Sequence, residues 1–233
     1  MQTLNVKVLE TKQETPTVRT IKLEKNSFDY KPGQYVMLEL DVADSENGNT
    51  RPLSLASSPT EDFIMVSTKI SESLFKKKFN SLKEGDIVKI KGPMGIFTLK
   101  EDAKEIIFLG GGIVITPFRD MIKYAADRKL RIKMTLLYSN RMQSEIAYKK
   151  EWPLFEEQNP NLKVINTITD DLQGWTGKIG RIDEKMIKEY CNDLTNAIFY
   201  ICGPPPMVEG LGNLLKSMNV ALQNIKIEKF AGY

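Results

Sequence analysis

Four segments place residue types that can handle phosphates, heteroaromatic rings or thiol chemistry at the ends of expected strands. In Arg51-Pro52-Leu53-Ser54-Leu55-Ala56-Ser57-Ser58-Pro59 a cation and hydroxyls alternate along a strand. Arg51 can pair with a phosphate and Ser54 can hydrogen-bond a heteroaromatic ring; a half-buried strand with a surface arginine reads the same way. Gly92-Pro93-Met94-Gly95-Ile96-Phe97 sets two glycines around a turn, which serves a close ligand approach or a tight turn alone. Phe108-Leu109-Gly110-Gly111-Gly112-Ile113-Val114-Ile115-Thr116-Pro117 runs an apolar strand into three glycines, with a helix beginning near Pro117. Backbone N–H groups and the helix N-terminus there can receive a pyrophosphate, and a glycine turn without a ligand is the alternative. Tyr200-Ile201-Cys202-Gly203-Pro204-Pro205-Pro206-Met207 ends another apolar strand before a helix. Ligands of parallel sheets lie beyond the carboxyl ends of the strands, so Cys202 and Gly203 would share an edge with Gly110 to Gly112; a buried structural thiol is the other reading.

What is missing narrows the chemistry further. The 233 residues contain no histidine and two cysteines, Cys191 and Cys202, which excludes Ser-His-Asp and Cys-His catalysis, histidine metal sites and an iron–sulfur cluster held by this chain alone. No metal ligand set is expected. Electron chemistry would need a bound organic cofactor or a partner. Lys plus Arg number 33 against 30 acidic residues, a net charge of +3, too small an excess to argue for nucleic acid. Few cysteines and a start without a basic, apolar leader lead us to expect the cytoplasm. The longest largely apolar segment, 106–118, is shorter than the ~18 residues a membrane span needs, so no transmembrane segment is expected.

Short alternating or β-branched runs over 4–9, 17–23, 35–40, 63–70 and 87–91 predict an antiparallel sandwich or barrel. Lys31-Pro32-Gly33-Gln34 and Lys83-Glu84-Gly85-Asp86 are its turns, 44–50 a polar hairpin loop, and 73–82 its one helix. Beyond 103 apolar strands at 105–109, 132–138, 162–167 and 197–202 alternate with helices at 117–128, 144–157, 183–190 and 206–218. That alternation predicts a parallel sheet with helical crossovers. The charged stretch 99–104 marks the boundary, giving domains 1–100 and 101–233.

In this order along essentially the whole chain, the motifs resemble those of the ferredoxin–NADP reductase superfamily of flavoproteins. Pro32-Gly33-Gln34-Tyr35 is similar to a family barrel strand, Arg51 to Ser54 to its R-x-[YF]-S motif, Gly92 to Phe97 to its G-P-x-G-x-F, and Gly110 to Pro117 to its nicotinamide-domain turn. Tyr138-Ser139-Asn140-Arg141 resembles the loop around the adenosine ribose, Gly180-Arg181-Ile182 its G-R-[IV], and Cys202-Gly203-Pro204 its C-G-P.

The resemblance implies an N-terminal six-stranded antiparallel β-barrel for FAD and a C-terminal Rossmann-like α/β domain with a five-stranded parallel sheet for NAD(P)H. Arg51 would contact the FAD pyrophosphate, Leu53 cover one isoalloxazine face and Ser54 lie near flavin N5, with Pro52 and Thr68 also at the cofactor. Gly111, Gly112, Thr116, Pro117, Ser139, Arg141, Cys202, Gly203 and Pro204 would bind the coenzyme, Thr116 and Cys202 flanking the nicotinamide. Ser54, Cys202 and Tyr233 are the candidate catalytic residues, Tyr233 as a terminal aromatic stacked on the flavin; a frayed end is the alternative. Three positions depart from the family pattern. Leu53 replaces an aromatic, removing about 0.5–1.5 kcal/mol of stacking. Val114 stands where a second glycine is usual, and Ser73-Leu74-Phe75-Lys76 replaces a G-x-x-S turn, so Lys76 would supply the phosphate contact. Ser139 and Arg141 lean toward NADPH over NADH. The implied activity is hydride transfer between NAD(P)H and FAD, with electrons passed to a small acidic carrier, ferredoxin or flavodoxin, steered by Lys76, Lys77 and Lys78. The alternatives are an NAD(P)H:free-flavin reductase and a flavin-bearing electron-transfer subunit of a larger complex.

Overall fold

Alternating burial and two glycine turns build the antiparallel half of the chain. In the computed structural model, which describes residues 1–42 and 49–229, strands β1 (Gln2–Thr15), β2 (Val18–Glu24), β3 (Tyr35–Glu39), β4 (Thr50–Ser54), β5 (Phe63–Lys69) and β6 (Ile87–Met94) pair antiparallel in the order β4-β3-β6-β1-β2-β5. Val6 and Val8, Ile21 and Leu23, Val36 and Leu38, Ile64 and Val66, and Val88 and Ile90 are every second residue of their strands, and all are buried in one core, the period-2 signature of a sheet with one face inside. An isolated antiparallel bridge joins Leu55 to Val66, and the Ala56 N–H donates to the Met65 carbonyl at 2.7 Å. Gly33 and Gly85 sit at φ +99 and +92 in turns in which Gln34 N–H and Asp86 N–H each donate back three residues at 3.1 Å. The expected polar loop at 44–50 lies mostly outside the described residues.

Helix α1 (Leu74–Ser81) starts where the Ser73 side chain accepts the Lys76 N–H, and it buries Phe75 and Phe79. A serine N-cap of this kind contributes about 1 kcal/mol.

The second half is the parallel sheet. Strands β7 (Glu105–Gly111), β8 (Lys133–Asn140), β9 (Leu162–Ile168), the two-residue β10 (Lys178–Ile179), β11 (Ile198–Gly203) and β12 (Ile225–Lys229) run in the order β10-β9-β8-β7-β11-β12, all parallel. Every residue of β7 is buried, as a central parallel strand covered on both faces requires. Helices α2 (Thr116–Asp127), α3 (Trp152–Gln158), α4 (Glu184–Tyr190) and α5 (Pro205–Ser217) make the crossovers. The sheet thus has one more strand than the five expected, β10 being the short addition. The helix expected over 144–157 is confined to α3. Pro153 lacks an N–H and is accepted only in a first turn, and Tyr148 upstream has φ +55, which breaks a helical path.

The chain forms two compact units, Met1–Leu99 with Thr116–Tyr124, and Lys100–Ile115 with the residues from Ala125 onward. The first turns of α2 therefore pack with the antiparallel sheet. No helix among the described residues is long and apolar enough to cross a membrane.

Candidate functional site

In the first unit, Arg51 on β4 stands opposite Leu38 with its guanidinium 5.2 Å from the ring centre of Phe75 on α1, and donates to the Thr50 carbonyl at 2.8 Å. Lys76, half-buried one residue after Phe75, has its pKa held below the usual lysine range by burial first and then by the charges of Lys69 and Arg51. Three cations from β4, β5 and α1 thus share a field that a bound anion relieves. Lys69, exposed at the end of β5, was not among the expected residues; its charge reaches Lys76 on α1.

Ser54 is 3% exposed, and its Oγ has no hydrogen-bond partner among the described residues. An unpaired buried hydroxyl costs about 1–3 kcal/mol, so Ser54 fits a ligand bringing one polar ring atom, and the cations fit that ligand's phosphates. Leu53 is also 3% exposed and belongs to the apolar core. It faces inward because it pairs with Val36, so the side chain of this motif that is exposed is Pro52. Thr68 is buried on β5 opposite Arg19. Thr116 and Pro117 open α2 and are both buried in this unit.

In the second unit the strand order reverses at β7, with β8 and β9 on one side and β11 and β12 on the other. Such a switch point opens a crevice at the carboxyl edge of the sheet. Register places Cys202 opposite Gly110 and Ser139 opposite Gly111, so these expected residues do meet at one edge. Gly112, at φ +63, has open space where a Cβ would stand, and Tyr138 Oη donates to its carbonyl at 2.9 Å while accepting the Ala147 N–H. A Cβ on Gly111 would lie 2.7 Å from Met207 Sδ, and one on Gly203 3.1 Å from the same sulfur. Met207 therefore fills the gap between the two glycines, which only the fold reveals. Val114 is buried.

Cys202 is fully buried and donates from Sγ to the Val114 carbonyl at 3.0 Å. Burial, and next the charge of Glu228, pushes its thiol pKa well up. Glu228 on β12 is opposite Cys202, has Oε2 without a partner among the described residues, and is raised by burial to about 7. Pro204 is exposed at the start of α5. Ser139 is half-buried, whereas Arg141 is exposed at 75% and its Nε donates to Asp170 Oδ2 at 3.1 Å. Tyr233 lies outside the described residues.

Residues 5–99 match the Oxidoreductase FAD-binding domain family and residues 108–212 the Oxidoreductase NAD-binding domain family. One subunit of the Na(+)-translocating NADH-quinone reductase of Idiomarina loihiensis is 32% identical over 76% of this chain and 44% of its own length. A flavohemoprotein of Halalkalibacterium halodurans is 26% identical over 96% of this chain and 59% of its own length. The chain thus spans about half the length of these curated relatives. Its fold is shared with the FAD/NAD-binding domain of the Vibrio cholerae nitric oxide dioxygenase, with a TM-score of 0.87, 21% identity and 98% of each chain covered. It is shared equally with a ferredoxin NADP+ reductase of Neisseria gonorrhoeae, with a TM-score of 0.85, 19% identity and coverage of 98% and 99%. The two family matches, in order and on the two sheets described above, show that the chain belongs to the ferredoxin–NADP reductase superfamily of FAD- and NAD(P)-binding oxidoreductases.

Proposed function

We propose that residues 1–100 form the FAD domain, a barrel closed at the Leu55–Val66 bridge, and residues 101–233 the NAD(P)H domain of an oxidoreductase that moves hydride between coenzyme and flavin and passes electrons to a separate carrier. The observation that carries this reading is the unpartnered Ser54 Oγ on the strand that also bears Arg51, within the field of Lys69 and Lys76. Bound FAD would supply the conversion between two-electron and one-electron chemistry. The chain's own residues bind and orient. Arg51 and Lys76 hold the FAD pyrophosphate, Ser54 hydrogen-bonds the ring near N5, and the backbone at Pro52 and Leu53 borders it. In the second unit Gly111 and Gly112 receive the coenzyme pyrophosphate and Cys202, Gly203 and Pro204 border the nicotinamide; in the first, Thr116 and Pro117 at the start of α2 contribute to coenzyme binding.

For the coenzyme the reading shifts toward NADH. Asp170 neutralises Arg141 and offers a carboxylate where a 2′-phosphate would be repelled and a ribose hydroxyl accepted. The relatives named as parts of an NADH-quinone reductase accord with it. The partner is a small acidic carrier, ferredoxin or flavodoxin in kind, meeting Lys76 to Lys78 in the cytoplasm.

One observation favours a second reading. With Leu53 turned into the core, this strand stacks no side chain on the ring, which suits a loosely held flavin and hence a free-flavin reductase. The absorption spectrum after desalting decides: about one FAD per chain supports the first reading, and a colourless protein that still oxidises NADH with added flavin supports the second. A protein that neither retains nor reduces flavin refutes both.

A further inference from the structure

Arg119, on α2, is 4% exposed, and its guanidinium is bound at three points by the segment that follows the flavin motif. Nη1 donates to the Ala56 carbonyl at 2.6 Å and to Glu61 Oε2 at 3.0 Å, while Nη2 donates to Glu61 Oε1 at 3.3 Å. Glu61 Oε2 also accepts the Ser58 N–H at 2.7 Å, so the carboxylate ties the 56–61 segment to itself as well as to the helix. The next residue repeats the tie elsewhere: Asp120 Oδ2 accepts the Gly33 N–H at 2.6 Å, and Phe118 packs on Phe97 with ring centres 6.2 Å apart.

Two distances along the chain give this clamp its meaning. Ala56 lies two residues after Ser54, and Thr116 lies three residues before Arg119, on the same face of the helix one turn earlier. We propose that Arg119, gripped by Glu61 and the Ala56 carbonyl, is a positioning residue that fixes Thr116 relative to Ser54 and thereby sets the rate of hydride transfer. This inference rests on the reading above, in which Ser54 meets the flavin and Thr116 the nicotinamide.

Physical chemistry favours positioning over stability as the reason for this pair. Desolvation offsets most of the attraction within a buried ion pair, and apolar residues of similar volume commonly stabilise as well or better. A bidentate guanidinium–carboxylate fork adds what an apolar pair lacks, a defined direction and distance. Hydride transfer is sensitive to that precision, since a displacement near 1 Å costs on the order of a hundredfold in rate.

The test compares FAD-loaded wild type with Arg119→Lys, which keeps the charge but not the fork, and with Arg119→Met combined with Glu61→Leu, which replaces the pair by packing. Anaerobic rapid mixing with NADH measures flavin reduction per bound FAD, and amide exchange read by mass spectrometry follows residues 56–58 and 116–120. The expected result is a rate at saturating coenzyme that falls on the order of tenfold or more in both variants, with half-saturation changed by less than about threefold. Exchange should quicken in both segments. The proposal is overturned if exchange in the two segments stays at the wild-type rate. It is equally overturned if reduction per bound FAD is unchanged and only FAD content or melting temperature falls, because the clamp is then merely structural. Should the double variant fail to fold, Arg119→Lys carries the same two criteria. A wild-type protein that neither NADH nor NADPH reduces would refute the functional reading, and the exchange result would then still report on the clamp.

Discussion

Replacing Glu228 by glutamine is expected to make the parallel-sheet unit more stable above about pH 7 and to leave it nearly unchanged near pH 4.5. The carboxyl on β12 is raised from 4.5 to about 7 by burial, and Oε2 finds no partner among the described residues to stabilise its charge. Because the folded state holds this proton more tightly than the unfolded chain, stability is complete below about 4.5 and declines as pH rises toward 7. A shift of that size corresponds to about 3 kcal/mol at most, at 1.36 kcal/mol per pH unit. Glutamine mimics the protonated acid at every pH. At pH 8 the variant should therefore melt several degrees higher than wild type, at roughly 2–4 °C per kcal/mol for a chain of this length, and the gap should close on acidification. Calorimetric melting at pH 5, 6, 7 and 8 measures it directly. A difference between the two proteins that stays constant across that range would show that Glu228 keeps an ordinary carboxylate pKa and that its burial carries no electrostatic cost.

Removing the Arg51 guanidinium in Arg51→Ala should weaken FAD retention by about 1.5–3 kcal/mol; equal flavin content after matched dilution of mutant and wild type would assign Arg51 to the protein surface. Gly33→Ala should cost at least about 2 kcal/mol, since its Cβ would fall 2.1 Å from the Phe97 carbonyl oxygen at φ +99, whereas Gly85→Ala, at φ +92 with no atom within 4 Å, should cost only about 1–2 kcal/mol of backbone strain; similar melting temperatures for the two would contradict the close-approach argument. Asp170→Asn frees Arg141 and should raise the ratio of kcat/KM for NADPH over NADH by about tenfold, near 1.4 kcal/mol, and an unmoved ratio would remove Asp170 from coenzyme choice. Reduction of an acidic carrier should slow as ionic strength rises if Lys76 to Lys78 steer it, and a flat dependence would place docking elsewhere.

Much of the architecture was legible without coordinates because it follows from rules that act over a few residues. Alternating Val, Ile and Leu name the buried face of each strand, Gly33 and Gly85 mark turns that need φ > 0, and three glycines after an apolar strand announce a sharp turn into a helix. The same local rules misled where two of them competed. The polar, helix-favouring composition of 144–157 hid the fact that Pro153 admits a helix only at its start. The motif around Arg51 was readable as a cation and a hydroxyl on one strand, yet which of its side chains faces inward depended on β4 pairing with β3, and that pairing turns Leu53 into the core. Electrostatic partners were beyond reach for the same reason. Arg141 reads as a phosphate ligand, and only the fold sets Asp170, 29 residues later, beside it; nothing in the spacing pairs Arg119 with Glu61, 58 residues earlier. Sequence spacing fixes periodicity and turn geometry because backbone sterics and burial are local, whereas charge pairing and desolvation are settled by whichever distant group the tertiary structure brings within about 3 Å.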